Sequence, residues 1–266
     1  MLHRKPKQKK KKFIFTKKRP EKSLLLPLKK QAGKNNSGRI TVRHKGGGVK
    51  RMYRVIEFGQ VKIGEAAKVA SIEYDPNRTC FIALLRYNDD YKCYVLAADG
   101  LKEGDTIVCS PEAELKNGNR LKLKNIAVGT IVYNIELQPG RGGQMARTAG
   151  AGAEVMAQEG KYTNLKMPST EIRKVLGECY SSVGSLSHPE HRFEQLGKAG
   201  TARLKGVRPS VRGSAMNACD HPHGGGKNAQ PIGMKYPKTP WGKHALGVKT
   251  RKAQRSDKLI MQRRQK

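Results

Sequence analysis

Between Tyr53 and Val183 apolar and polar positions alternate in short β-branched runs, with little of the three-to-four-residue spacing that marks an amphipathic helix. Tyr53 to Phe58, Lys68 to Tyr74, Cys80 to Tyr87, Tyr91 to Ala97 and Thr106 to Cys109 read as strands, cut by the turn residues Asp75-Pro76-Asn77, Asn88-Asp89-Asp90 and Gly104-Asp105. About five strands in about 70 residues point to a small barrel of oligonucleotide-binding (OB) type. A second group follows: Ile131 to Leu137, Ala153 to Ala157, Tyr162 to Met167, Glu171 to Val175 and Cys179 to Val183, broken by Gly140-Arg141-Gly142-Gly143, Glu159-Gly160 and Gly184. That pattern suits a five-stranded SH3-like barrel. Before Asn35 and beyond Leu196 the periodicity is lost. The pattern predicts a mainly β chain, an OB-fold-like barrel followed by an SH3-like barrel, with extended basic N- and C-terminal arms. Its expected divisions are 1–34 (basic arm), 35–124 (OB-fold-like domain), 125–196 (SH3-like barrel) and 197–266 (extended basic region).

Charge sharpens this division. The chain carries 54 Lys and Arg against 21 Asp and Glu, a formal charge of +33 that would oppose compaction if spread evenly. It is not spread evenly: Glu57 to Glu194 holds 18 acidic and 17 basic residues, so the two ends together hold 37 basic against 3 acidic. Met1 to Lys34, with Lys9 to Lys12 and the isolated Pro6, Pro20 and Pro27, repels itself and cannot bury enough apolar surface to fold alone. Taken by itself, that segment fits equally an arm that orders on a partner and a solubilising tail or localisation signal. Gly197 to Lys266 has 17 basic residues with Asp220 and Asp257 as its acids, and Pro231, Pro237 and Pro240 exclude a long helix over most of it. Such a tail is expected to thread through a polyanion.

Five cysteines, an odd number without a CxxC pair, argue for reduced thiols, and Cys80, Cys93 and Cys109 fall on or beside strands as small core residues. No apolar run approaches the ~20 residues of a membrane span. Met1 to Arg19 is basic and acid-free, as a transit peptide is, but it is Lys-rich, lacks Ser and has no amphipathic face, so no cleaved targeting peptide is expected.

The densest candidate chemistry lies in Gly206 to Asn228. There Arg208 and Arg212 offer planar forks for phosphate oxygens, Asp220-His221-Pro222-His223 sets two imidazoles around a residue of fixed φ, and Gly224, Gly225 and Gly226 permit close backbone approach. Arg203 and Lys205 precede it. Asn35 to Arg54 echoes this stretch: His44 precedes Gly46, Gly47 and Gly48, among Arg39, Arg43, Lys45, Lys50, Arg51 and Arg54. Two basic His-Gly loops suggest one physical problem, backbone lying against phosphates, solved twice. Pro139 to Ala151, with Arg141 and Arg147, is a third positive glycine-rich loop, although flexible linkers share that composition. Aromatic residues are only 6 %, so base stacking is not the main contact; Tyr236 and Trp241 are its candidates in the tail, and Trp241 fits an anchor on a barrel equally well.

Enzyme and metal readings are weaker. Asp220, His221 and His223 lie on a glycine-rich loop that preorganises poorly, His188 and His191 flank a proline with the single Cys179 as a third ligand, and Cys219 and His221, two apart, diverge on an extended chain. No metal site, no cofactor and no enzyme is expected. Phosphate-binding arms without a recognition helix, zinc finger or basic zipper favour irregular RNA over the DNA major groove.

The runs NNSGRITVRHKGGG (Asn35 to Gly48), EYDPNR (Glu73 to Arg78), PGRGGQMARTAG (Pro139 to Gly150), LGKAG (Leu196 to Gly200), GVRPSVRG (Gly206 to Gly213), RGSAMNACDHPHGGG (Arg212 to Gly226) and TPWG (Thr239 to Gly242) resemble the universal second protein of the large ribosomal subunit, of bacterial type. The resemblance implies large-subunit rRNA as partner near the peptidyl transferase centre, neighbouring ribosomal proteins, small-subunit contact at an intersubunit bridge, indirect support of tRNA, and no membrane. It also implies residence in the large subunit in a bacterial cytoplasm or an organelle. The expected role is structural, with a general-base role for His221 in peptidyl transfer as the alternative. The chain departs from the family pattern at Ala218-Cys219, at Lys227-Asn228-Ala229, and at Ser169-Thr170-Glu171, where a glycine is often found before the glutamate.

Overall fold

The computed structural model describes Thr16 and residues 19–227, 231–249 and 251–264; Lys9 to Lys12 and Asn228 lie outside the described residues. In chain order the strands are β1 (Leu25–Pro27), β2 (Met52–Arg54), β3 (Ala66–Glu73), β4 (Ile82–Arg86), β5 (Lys92–Leu96), β6 (Thr106–Val108) and β7 (Arg120–Lys122). Then come β8 (Ile131–Tyr133), β9 (Ala153–Glu159), β10 (Tyr162–Lys166), β11 (Ile172–Leu176), β12 (Tyr180–Val183), the single α-helix among the described residues, α1 (Ala199–Leu204), and β13 (Ile260–Gln262). The fold is mainly β. Its antiparallel sheets are a four-stranded one ordered β5-β4-β3-β6, of the OB-type group, a seven-stranded one ordered β13-β11-β10-β9-β8-β12-β7, which contains the SH3-like group, and a β1-β2 pair.

The pattern of β4 and β5 explains the long apolar run Cys80 to Tyr87. Ala83, Leu85, Cys93 and Val95 enter one core cluster, while Ile82, Tyr94 and Leu96 enter another that also takes Tyr133 and Leu186 from the second barrel. Successive side chains point to opposite faces, so a strand covered on both faces loses its polar alternation. The second barrel closes its own core with Leu121, Val132, Val155, Leu165 and Val175 among others. Cys80, Cys93, Cys109 and Cys179 are all buried and Cys219 is exposed.

Three elements depart from the periodicity. Leu25–Pro27, expected within an unstructured arm, pairs with β2 in the register Leu25↔Arg54, because two leucines suffice for a short strand once a partner edge is present. Arg120–Lys122 hydrogen-bonds β12, so the second sheet begins before residue 125. Ile260–Gln262 adds an edge strand to β11, where an extended tail was expected.

Compactness divides the chain into two units: the described residues up to 28 with 51–194 and those from 258 on, and 29–50 with 195–257. Residues 35–50 thus fall in the same compact unit as 195–257. Within the first unit the EYDPNR run closes the β3–β4 connection: buried Asp75 accepts from the Asn77 N–H at 2.9 Å and pairs with Arg78 at 3.2 Å. Arg120 and Glu136, 0 % and 2 % exposed, form a buried ion pair at 3.0 Å. Glu136 also accepts from the Tyr180 N–H at 3.1 Å and the Gly140 N–H at 3.3 Å, and Arg120 donates to the Asn134 carbonyl at 2.9 Å.

Candidate nucleic-acid interface

The second unit is built almost without apolar packing: among its described residues only His221 is buried. Hydrogen bonds between its two basic stretches hold it. Lys45 bridges Val207 antiparallel, the Gly46 N–H donates to the Gly206 carbonyl at 2.9 Å, the Arg208 N–H to the His44 carbonyl at 3.0 Å, and the Val49 N–H to the Leu204 carbonyl at 3.0 Å. His44 Nδ1 donates to the Pro209 carbonyl at 3.1 Å. Gly48 is required by this pairing, since a Cβ there would stand 3.0 Å from the Gly206 Cα. The first glycine loop therefore lies against the chain's own backbone, and the close approach read from its sequence is met within the unit. Arg39, Arg43, Lys45, Lys50, Lys205 and Arg208 are exposed around it, and Arg203, half-buried, brings its guanidinium to Gly47. Arg39 is presented by a turn in which Asn35 Oδ1 accepts from the Ser37 and Arg39 N–H groups at 3.1 and 2.9 Å.

The second loop folds back in the same way. The Gly225 N–H donates to the Met216 carbonyl at 3.0 Å with φ +88°, and a Cβ on Gly224 would overlap the Asn217 carbonyl oxygen. Gly226 is exposed with φ +75°. The His221 ring packs over Gly213, where any Cβ would run into it, and its Nδ1 accepts the His223 N–H at 3.0 Å. His223 Nε2 accepts the Lys238 N–H at 2.8 Å, and the two rings stand 4.7 Å apart. Each accepting nitrogen carries no proton in the neutral ring, so the proton of His221 sits on Nε2, which makes that atom a donor. Arg212 is exposed beside this loop. Trp241 is 74 % exposed within a tight turn closed by the Lys238↔His244 bridge.

The remaining candidates lie in the first unit. Arg51 donates to the Pro76 carbonyl at 2.8 Å and Arg54 to the Met52 carbonyl at 3.1 Å, which anchors one nitrogen of each guanidinium within the fold. Arg141 is exposed on the Pro139 to Ala151 loop, which is held down by the Ile135↔Met145 bridge and by the Gly143 N–H donating to the Phe58 carbonyl at 3.1 Å. Arg147 donates to the Gly143 carbonyl at 3.1 Å and lies over the Phe58 ring at 4.4 Å, with Arg78 over that ring at 5.1 Å. A cavity of about 660 Å³ opens there, lined by Asn77, Arg78, Gln144, Arg147 and Thr148 among others. Sequence reasoning passed over Phe58 and Arg78; the two motifs that carry Arg78 and Arg147 were the available signal.

Two β barrels and a cationic unit without an apolar core define an RNA-binding class of protein. Residues 21–109 match the family model described as Ribosomal Proteins L2, RNA binding N-terminal domain, and residues 116–242 the one described as Ribosomal Proteins L2, C-terminal domain. The chain belongs to this family, whose members are structural, RNA-binding constituents of the large ribosomal subunit.

Proposed function

We propose that the chain binds large-subunit rRNA near the peptidyl transferase centre and, through that contact, supports assembly of the large subunit, its association with the small subunit at an intersubunit bridge, tRNA binding and peptide-bond formation. The host ribosome on this reading is that of a bacterial cytoplasm. The observation that carries it is the second unit, with 20 Lys and Arg against Asp220 and Asp257 and, among its described residues, one that is buried. Such a unit cannot offset its ordering entropy by apolar burial, and a polyanion supplies the missing free energy. The interface assigned to it is Arg39, Arg43, His44, Lys45, Lys50, Lys205, Arg208 and Arg212 with the glycine loops and Trp241.

No observation favours the general-base alternative, because the lone pair on His221 Nδ1 is already taken by the His223 N–H. The test is co-sedimentation with large subunits across a salt series. Arg208→Ala with Arg212→Ala is expected to leave the chain folded and to lower the slope of log affinity against log salt by about 0.7 to 0.9 per lost phosphate contact. An unchanged slope, or loss of co-sedimentation by the wild-type chain at moderate salt, would overturn the assignment.

A further inference from the structure

In the first unit, His188, His191 and Glu194 bring three ligand atoms within 4.8 Å of one another. His188 Nε2 stands 3.3 Å from Glu194 Oε1, and His191 Nδ1 stands 3.0 Å from Glu194 Oε2. The two imidazoles thus face the two different oxygens of one carboxylate, each at a separation near the roughly 3.3 Å edge of a tetrahedron whose ligands stand about 2.0–2.1 Å from the ion. The short 3-10 turn Pro189–Phe193 produces this convergence by bringing residues that are three and six apart onto one side.

The His188 ring is already oriented as a ligand. Its Nδ1 lies 2.9 Å from the Thr79 carbonyl, which can only accept, so Nδ1 carries the proton. With Nδ1 directed at that carbonyl, Nε2 is the nitrogen that faces the Glu194 carboxylate, where a shared cation can bridge the two. A backbone carbonyl on the non-ligating nitrogen is the partner that fixes tautomer and ring plane in metal-bound histidines. The ring is further clamped by stacking on Phe81, centroids 4.9 Å apart and planes 14° from parallel. Exposure rises from 11 % at His188 through 33 % at His191 to 48 % at Glu194, which leaves an open side for a fourth ligand.

We propose that His188 Nε2, His191 Nδ1 and a Glu194 oxygen bind one divalent first-row transition-metal ion of the zinc type, with water in the fourth position. Two imidazoles and one carboxylate suit such an ion; magnesium and calcium require mostly oxygen ligands in greater number. The sequence by itself offers Cys179 as the third member of this pattern. The structure buries Cys179 in the core of the second barrel and supplies Glu194 instead. All three residues belong to the first unit, and the proposal does not depend on the RNA-binding reading.

The competing arrangement is a second proton on His188 in place of the metal, making a plain ion pair. Full-length chain stripped with a chelator is titrated with Co²⁺ and then with Zn²⁺. The expected result is one Co²⁺ per chain with the visible absorption of a tetrahedral centre, displaced by Zn²⁺, and a rise in melting temperature on adding Zn²⁺. His191→Ala and Glu194→Gln, both at partly exposed positions, are each expected to weaken Co²⁺ binding by at least about tenfold, since even outer-shell losses reach that size. Cys219→Ser, which removes the exposed thiol, should leave the titration unchanged. Melting of each metal-free variant reports whether it is folded. Absence of a tetrahedral spectrum in the wild-type chain, or an equal spectrum in folded His191→Ala and Glu194→Gln, would overturn the proposal in favour of the protonated ion pair.

Discussion

The backbone N–H of His223 donates to Nδ1 of His221 at 3.0 Å, and this one bond determines what the most suggestive imidazole of the chain can do. It makes Nδ1 of His221 an acceptor, in a ring buried over Gly213. In His221→Gln the amide oxygen can still accept the His223 N–H, whereas His221→Ala leaves that group without its partner. The expected outcome is defective assembly for Ala, at a cost of about 1–3 kcal/mol, with substantial rescue by Gln. The chemical step of mutant ribosomes that do assemble should stay within about tenfold of normal, whereas a lost general base would slow it about 10²- to 10⁴-fold. Single-turnover peptide-bond formation in purified, tRNA-saturated particles separates the two.

Thr170 occupies the position where the family pattern often has glycine, and its φ is +69°. A β-branched residue in the left-handed region carries strain of about 1–3 kcal/mol. Here the Thr170 N–H still closes the β10–β11 turn on the Met167 carbonyl at 2.8 Å. Glycine would remove the strain and add about 0.5–1 kcal/mol of unfolded-state entropy. Thr170→Gly is therefore expected to stabilise the chain by about 1 kcal/mol, read as a higher denaturation midpoint. A lower midpoint would show that the threonine side chain contributes more than its backbone strain costs.

The Arg120–Glu136 pair predicts non-additive energetics. Glu136→Gln keeps an acceptor for the Tyr180 and Gly140 N–H groups but strands the Arg120 guanidinium, which is expected to cost about 3–5 kcal/mol. Adding Arg120→Met removes the stranded charge, so the double variant should be more stable than Glu136→Gln alone. Urea denaturation of the three proteins checks the order, and a double variant with summed losses would contradict it.

Burial pushes the Cys80, Cys109 and Cys179 thiols up to about 11 and the Cys93 thiol higher still. A raised pKa means less thiolate at pH 8, and thiolate is the reacting form. Disulfide-exchange titration of the native chain should show one fast thiol, Cys219, and all five after denaturation. Two or more fast thiols in the native chain would mean that the barrels open on the timescale of the reaction.

What the sequence determined by itself is local. Period-two runs marked β3 to β6 and β8 to β12 to within a few residues, because each buries alternate side chains and ends at Gly, Asn or Asp turns. Charge sorting separated a nearly neutral centre from cationic ends, and the glycine-rich runs identified the family. Pairings between distant segments were not legible. β1, β7 and β13 are three-residue strands that lie outside the longer alternating runs and exist because a partner edge lies nearby. The glycines at 46 to 48 announced a close approach, but only the tertiary structure showed Gly48 against Gly206, 158 positions further along the chain. His188 and Glu194 met for the same reason: a short 3-10 turn and the clamp of Thr79 and Phe81 decided their distance. Spacing along the chain states which residues are neighbours in sequence, while the free energy of packing decides which become neighbours in space.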